Sequence, residues 1–381
     1  MTALTDASPI ENRPLTALPT GRARTIALFS LFLASTMELL DTTIVNVALP
    51  SIATGLGATA AQLQWMVAAY PLAFAVALIT GSRLGDLWGR KRLFVVGLVA
   101  FTVMSAACGL APSAEALILF RALQGLAAAA MIPQVLTSIQ VMYAPHERAA
   151  AMGLFTALAG VTAVLGPVLG AVLTNADIAG TGWRSIFLVN VPVGIVAIVA
   201  AVKWVPNSVS ERRPGIDVRG VLVLAAGLLA VLYPLTMGRE LGWPVWVFAL
   251  LVAGVAVLGF FGRRQARLAR GARAGRSPLV DPSVLDRRAY VSGLVLVLCF
   301  IGAMGGMVLV FNVMLQAGLG FTPLGSGVAT IAIPVAAIFG SITSSVTLER
   351  LGRTTIHIGT ATMAAGLLIA DLVLRSRGGD L

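Results

Sequence analysis

The chain has 381 residues, of which 58% are hydrophobic and only 11% charged, with a mean hydropathy of +0.92. That excludes an ordinary water-soluble domain, where about a quarter of the residues carry charge. The net charge of +11 is spread over connectors between apolar runs and not over one polar face, which argues against a nucleic-acid partner and for membrane orientation. The two cysteines, Cys108 and Cys299, both sit inside apolar runs, so no disulfide framework is expected.

Before Thr25 the chain is polar and loose, with Pro9, Pro14 and Pro19. The apolar run that follows is too long for the core of a cleavable signal, so it is expected to remain as the first span. About 20 apolar residues make a helix of about 30 Å, enough to cross the hydrocarbon layer. On that length, spans are predicted at residues 26–49, 62–82, 93–111, 114–142, 150–174, 185–205, 218–237, 245–261, 290–315, 324–348 and 355–374. The expected fold is therefore an all-α polytopic membrane protein with about eleven transmembrane helices. With a cytoplasmic N-terminus, the inner segments hold Arg22, Arg24, the cluster Arg83/Arg90/Lys91/Arg92, Arg148, Lys203, Arg212, Arg213 and Arg219. They also hold the run from Arg263 to Arg288, then Arg350 and Arg353, against Arg184 and Arg239 outside. This alternation predicts a multi-pass protein of the cell membrane with its N-terminus inside. Trp65, Trp183, Trp243 and Trp246 fall near the outer ends, as an aromatic belt would place them.

In the first span Glu38 and Asp41 are three residues apart, which puts both carboxylates on nearly one helical face. Two ionised carboxylates at membrane depth repel each other and lose hydration, so at least one favours its protonated form, as proton coupling requires. The alternative is that Thr42, Thr43 or Asn46 orders Asp41 and the acid only stabilises a helix contact. Residues 81–92 read as a short basic connector that turns the second span into the third, with Gly81, Gly85 and Gly89 for turning and close approach. Asp86 is the lone acid among Arg83, Arg90, Lys91 and Arg92. Arg121, deep in the fourth span, is expected to face a polar interior or a carboxylate, with Gln124 and Gly125 on a packed face. In the fifth span Gly166 and Gly170 allow close helix contact, while Pro167 removes a backbone hydrogen bond and bends the helix. Asn46, Gln124, Asn190, Asn312 and Gln316 are the polar candidates for a substrate cavity.

The polar linker at 206–215 is a natural bundle boundary, and the long basic connector at 263–288 suits a solvated loop beside anionic lipid heads. The expected organisation is a tail (1–24), a six-helix bundle (25–205), a linker with two further helices and the basic loop (206–288), and a last helical segment (289–381). His146 and His357 are far apart, no metal-ligand spacing occurs, and no serine or cysteine has a plausible base. An enzyme, and any resident cofactor, is not expected.

Taken together these stretches resemble the major facilitator superfamily, in its fourteen-helix drug–proton antiporter branch. Residues 81–92 are similar to the family's gating loop, residues 40–50 to the branch's first-helix signature, and Arg121 with Gln124-Gly125 to its fourth-helix motif. Gly166-Pro167-x-x-Gly170 resembles the antiporter motif, with Ala171 in place of its second glycine. Residues 183–194 and 315–327 are similar to further branch hallmarks, and residues 348–353 to a worn copy of the gating loop. The resemblance implies two bundles rocking about a central cavity, driven by the proton gradient. It assigns Asp41 and Arg121 to proton coupling, where the span's own residues add Glu38 as a helping acid, and Asp86 with Arg90 to a cytoplasmic charge lock. The spans at 218–237 and 245–261 would be the extra helix pair. The second bundle is expected to hold six helices where about three are present, which a partner chain or further helices would complete. The implied activity is proton-coupled efflux of amphipathic drugs or small metabolites. Proton-symport uptake and a non-transporting regulatory membrane protein are the alternatives.

Overall fold

The computed structural model describes residues 12–14, 18–210, 217–270, 286–321, 325, 329, 332–352 and 354–377. Among them are α1 (Gly21–Leu56), α2 (Ala60–Trp88), α3 (Arg90–Gly109), α4 (Ala114–Met142), α5 (Pro145–Asn175) and the short α6 (Ser185–Leu188). There follow α7 (Asn190–Trp204), α8 (Val218–Met237), α9 (Val245–Arg270), α10 (Arg288–Val313), α11 (Ala332–Leu351) and α12 (Thr354–Arg377). Eight helical stretches among the described residues are long and apolar enough to cross a membrane, α6 and α7 counting as one, and α5 adds a ninth with a 43° bend. α11 and α12 overlap the last two predicted spans, which brings the described helices close to the count of about eleven expected from hydropathy. The bend falls between Thr162 and Leu165, beside the carbonyl that Pro167 leaves without its helical N–H.

Local chemistry sets the ends of these helices. Thr59 caps α2 by accepting from the Gln62 N–H while Gln62 returns a bond to the Thr59 N–H, and Ser113 caps α4 through the Ala116 N–H. The connector expected at 81–92 is corrected here: α2 continues through Gly81, Gly85 and Asp86 to Trp88, and α3 starts at Arg90. Gly89 alone makes the turn, with φ +97°, a conformation that L side chains rarely adopt. Gly81 and Gly85 serve contact instead. A Cβ on Gly81 would lie 2.1 Å from the Ala129 carbonyl oxygen, and one on Gly85 2.1 Å from Gln134 Oε1. Likewise α9 runs on to Arg270, so Arg263, Arg264, Arg267 and Arg270 are helical and not part of a loop. Residues 271–285 lie outside the described residues.

α1, α2, α3, α4 and α7 enclose two apolar clusters. One gathers Leu31, Phe94, Phe101, Met131 and Ala197, the other Ile52, Met66, Leu117, Trp183 and Phe187. Trp183 is therefore not a belt residue: it is 4% exposed and packs edge-on to Phe187 at 6.3 Å. Outward-facing Val96, Val103, Leu119 and Ile195 are exposed, as side chains meant for acyl chains are. The pair α8–α9 packs along α2 through Ile79, Leu224 and Phe261. At its other end Tyr233 lies 5.7 Å from Trp65 and 6.4 Å from Trp246, and Gln64 donates to the Thr236 carbonyl. The strands β1 (Asn12–Pro14) and β2 (Ser208–Ser210) pair antiparallel, so part of the polar N-terminal segment is tied to the linker after α7.

Asp217, the N-cap of α8, joins this pair at its polar end. It accepts from the Gly220 N–H at 3.1 Å, from Arg264 Nη2 at 2.7 Å and from Gln265 Nε2 at 3.2 Å. The Arg264 guanidinium holds the Asp217 carboxyl below its unfolded value of 3.8, against the opposing effect of burial. A depressed folded pKa contributes stability above 3.8 that is lost as pH falls through the folded value. Asp217→Ala is therefore expected to lower stability at neutral pH by about 1–3 kcal/mol. Thermal unfolding in detergent checks this, and the gap between variant and wild type should close on acidification below 3.8.

Candidate functional site

One turn of α1 carries both acids of the first span inward. Asp41 is fully buried and Glu38 is 8% exposed. Facing them from α4 is Arg121, 2% exposed, whose Nη1 donates to Asp41 Oδ2 in a buried ion pair. The same Nη1 donates to Gln124 Oε1 at 2.9 Å, and Nε reaches the Met66 carbonyl on α2 at 3.4 Å. The other carboxylate oxygen, Asp41 Oδ1, accepts from Gln124 Nε2 at 2.9 Å and from Asn190 Nδ2 on α7 at 3.2 Å. Asn190 Nδ2 also donates to Ser105 Oγ on α3 at 3.0 Å, and Ser105 donates on to the Phe187 carbonyl at 2.9 Å. Three helices, α1, α4 and α7, thus meet at one carboxylate, and α2 and α3 join the network through the Met66 carbonyl and Ser105. A buried ion that is paired and fully hydrogen-bonded is tolerated at membrane depth, where an isolated one would not be.

Glu38 has a separate partner. Tyr70, in mid-α2, donates its hydroxyl to Glu38 Oε1 at 3.1 Å, and its ring lies 4.5 Å from the Arg121 guanidinium carbon. Tyr70 therefore touches the second acid with its tip and the cation with its face. Beside the pair is a chamber of about 190 Å3, lined almost wholly by apolar side chains such as Leu40, Ile44, Leu169 and Ile186. Thr36, Asp41 and Asn190 are its polar members. α5 closes on α1 at this level, because a Cβ on Gly166 would fall 1.9 Å from Thr43 Oγ1 and one on Gly170 2.9 Å from Ile44 Cγ1. Gly166 and Gly170, flanking Pro167, thus bring the bent helix against the turn that carries Asp41.

The expected residues sort into three places. Asp41, Glu38, Arg121, Gln124 and Asn190 come together, the last two as hydrogen-bond partners of the ion pair, with Asn190 also lining the chamber beside it. Thr42 and Thr43 donate to helix carbonyls at Leu39 and Leu40 and do not order Asp41. Asn46 is exposed on α1 and donates to the Thr42 carbonyl, apart from the pair. Asn312 falls on α10 and Gln316 on the π turn after it; their side chains lie outside the described residues. A second ion pair marks the α2–α3 junction, where Arg90 Nη2 donates to Asp86 Oδ1 at 2.9 Å, with Lys91 next to it half-buried. Gln134 on α4 donates to the Gly81 carbonyl at 3.0 Å, tying that junction to the helix of Arg121. Tyr70, Ser105 and the Met66 carbonyl were not among the expected residues. The available signal was a single tyrosine in an apolar span, whose hydroxyl needs a partner when buried. Arg121→Ala leaves Asp41 unpaired and is expected to cost about 3–5 kcal/mol. Asn190→Ala removes one of several donors and should cost about 1–2 kcal/mol. Thermal unfolding of the two variants in one detergent checks the order.

A sequence model described as the Major Facilitator Superfamily matches residues 31–262. The chain is 42% identical over 349 residues to a probable actinorhodin transporter of Streptomyces coelicolor, covering 91% of this chain and 60% of that protein. It is 33% identical to a tetracenomycin C resistance and export protein of Streptomyces glaucescens, covering 83% of this chain and 57% of that one. A multidrug resistance protein of Mycobacterium tuberculosis is 31% identical, with 92% of this chain and 64% of the relative covered. The chain thus spans less than two thirds of the length of these curated relatives. Among solved structures, the partially occluded inward-open xylose transporter XylE from E. coli aligns with a TM-score of 0.50 at 13% identity, over 87% of this chain and 74% of that one, a likeness of fold alone. On the matched residues and these identities, the chain belongs to the Major Facilitator Superfamily of membrane transporters.

Proposed function

We propose that the chain serves proton-coupled efflux, exchanging amphipathic drugs or small metabolites from the cytoplasm for external protons, with its N-terminus on the cytoplasmic side. The observation that carries this reading is the sealed Asp41–Arg121 pair. A proton on Asp41 neutralises the carboxylate and leaves the Arg121 cation uncompensated in a low-dielectric interior, a loss of several kcal/mol. Glu38 is the second anion within reach, and Tyr70 already touches both it and Arg121. A shift of Arg121 from Asp41 toward Glu38 gives α1 and α4 a second arrangement, and protonation biases the balance between the two. The pair Asp86–Arg90 acts in this scheme as the cytoplasmic lock that one of the arrangements releases.

Uptake by proton symport could use the same ion pair. The relatives named for drug resistance and export support efflux instead. Cargo identity follows from the same names only as far as a drug-like or antibiotic class. Asp41→Asn keeps the size and most hydrogen bonds of the side chain but cannot carry the proton. In everted membrane vesicles it should reduce proton-driven extrusion of a cationic dye to the background of vesicles lacking the chain, at unchanged membrane abundance. Extrusion at the wild-type rate in those vesicles contradicts the proposal.

A further inference from the structure

A groove of about 510 Å3 lies against the α2–α3 junction, lined by Leu87, Trp88, Arg92, Leu93, Val96 and Asn207, with Val209 of β2 at its rim. It takes no part in the buried pair described above. Its position follows from the chain path: Gly89 turns α2 directly into α3, and the linker after α7 returns across that turn. A Cβ on Gly89 would lie 2.8 Å from Asn207 Oδ1, so the linker is pressed onto the junction and forms a wall of the groove.

The lining is graded along α3. Arg92 and Val96 are four residues apart and share a helical face. Val96 is 61% exposed and sits one turn further into the apolar span; Trp88, also 61% exposed, stands beside Arg92 at the polar end. The neighbouring Arg90 is engaged by Asp86, whereas Arg92 is exposed and makes no ion pair or hydrogen bond among the described residues. Among the described residues no carboxylate lines the groove. A cation and an indole at the polar end, above an apolar wall within the membrane, match a molecule with an anionic head and a hydrocarbon tail.

We propose that this groove holds one anionic glycerophospholipid, with its phosphate on Arg92, its glycerol beside Trp88 and an acyl chain along Val96. A free inorganic anion would gain nothing from Trp88 and Val96. A zwitterionic lipid would find no carboxylate for its amine among the described lining residues. Occupancy would pin the linker and β2 to the junction that carries Asp86 and Arg90. The test is native mass spectrometry of the full chain, purified in mild detergent and supplied with phosphatidylglycerol or phosphatidylcholine. The wild type should retain phosphatidylglycerol preferentially. Arg92→Gln should lower that retention by about fivefold, the effect of one basic residue at an anionic headgroup. Arg92→Lys should restore most of it, and Val96→Trp, which fills the tail groove, should lower retention of both lipids. Equal retention of the two lipids by the wild type overturns the proposal, as does unchanged phosphatidylglycerol retention in Arg92→Gln. Displacement of the lipid by millimolar inorganic phosphate would show a simple anion site and overturn it too.

Discussion

An aspartate and an arginine removed from both water and lipid must answer each other, and in this chain they do so at the point where α1, α2, α3, α4 and α7 converge. Much of the surrounding architecture is a consequence. Each ion would be untenable alone at that depth. The helices that supply Gln124, Asn190, the Met66 carbonyl and Ser105 are therefore held to one geometry by the need to satisfy the pair. A network of this kind is all-or-nothing: fully satisfied it rigidifies the bundle, and with one member neutralised it becomes a source of stress. In the cycle proposed above, that dual character is what would let a proton, a ligand with no shape to speak of, act on the packing of whole helices.

The same helices that hold the pair also build the α2–α3 junction. α2 carries Tyr70 at the level of the ion pair and Gly81, Gly85 and Asp86 toward its C-terminal end. α4 carries Arg121 and Gln124 at the first level and Gln134 at the second. Between the levels the two backbones are nearly in contact: a Cβ on Gly125 would lie 2.3 Å from the Tyr70 carbonyl oxygen, and one on Gly81 2.1 Å from that of Ala129. Two helices packed backbone to backbone over this length move together more readily than they slide. In the proposed cycle, this close packing is the route by which a displacement at Arg121 would reach Asp86 and Arg90. On the opposite side, the close approach of Gly166 and Gly170 to Thr43 and Ile44 makes the bent α5 sensitive to the turn of α1 that bears Asp41.

The eleven long helices were legible in the sequence because hydrophobic length is the dominant constraint in a bilayer. The membership of Asp41, Arg121, Gln124 and Asn190 was legible because polar groups in apolar spans are costly and seldom idle. Their roles were less so. Asn190 and Gln124 look like cavity-lining amides from sequence, and only the fold brings both onto one carboxylate oxygen. Tyr70 and Ser105 were missed because a tyrosine or serine in a span is compatible with many partners. The junction at 81–92 looked like a loop because glycines and charges are the usual marks of one. In fact Gly81 and Gly85 exist for contact with α4, and nothing between Ser82 and Trp88 breaks a helix. Trp183 has the composition of an interfacial anchor, but the close approach of Gly55 makes room for it inside the bundle.

The proposed cycle requires Asp41 to change its protonation state within the folded bundle, and infrared difference spectroscopy reads this directly. Spectra of the membrane-embedded chain would be recorded at high and low pH, for the wild type and for a variant with asparagine at position 41. Other acids, Asp217 among them, titrate in both proteins, so the account predicts that acidification of the wild type adds one further protonated-carboxyl stretching band, with loss of a matching carboxylate band, that is missing from the variant. Identical difference spectra from the two proteins would mean that Asp41 stays ionised beside Arg121 throughout, and would contradict the account.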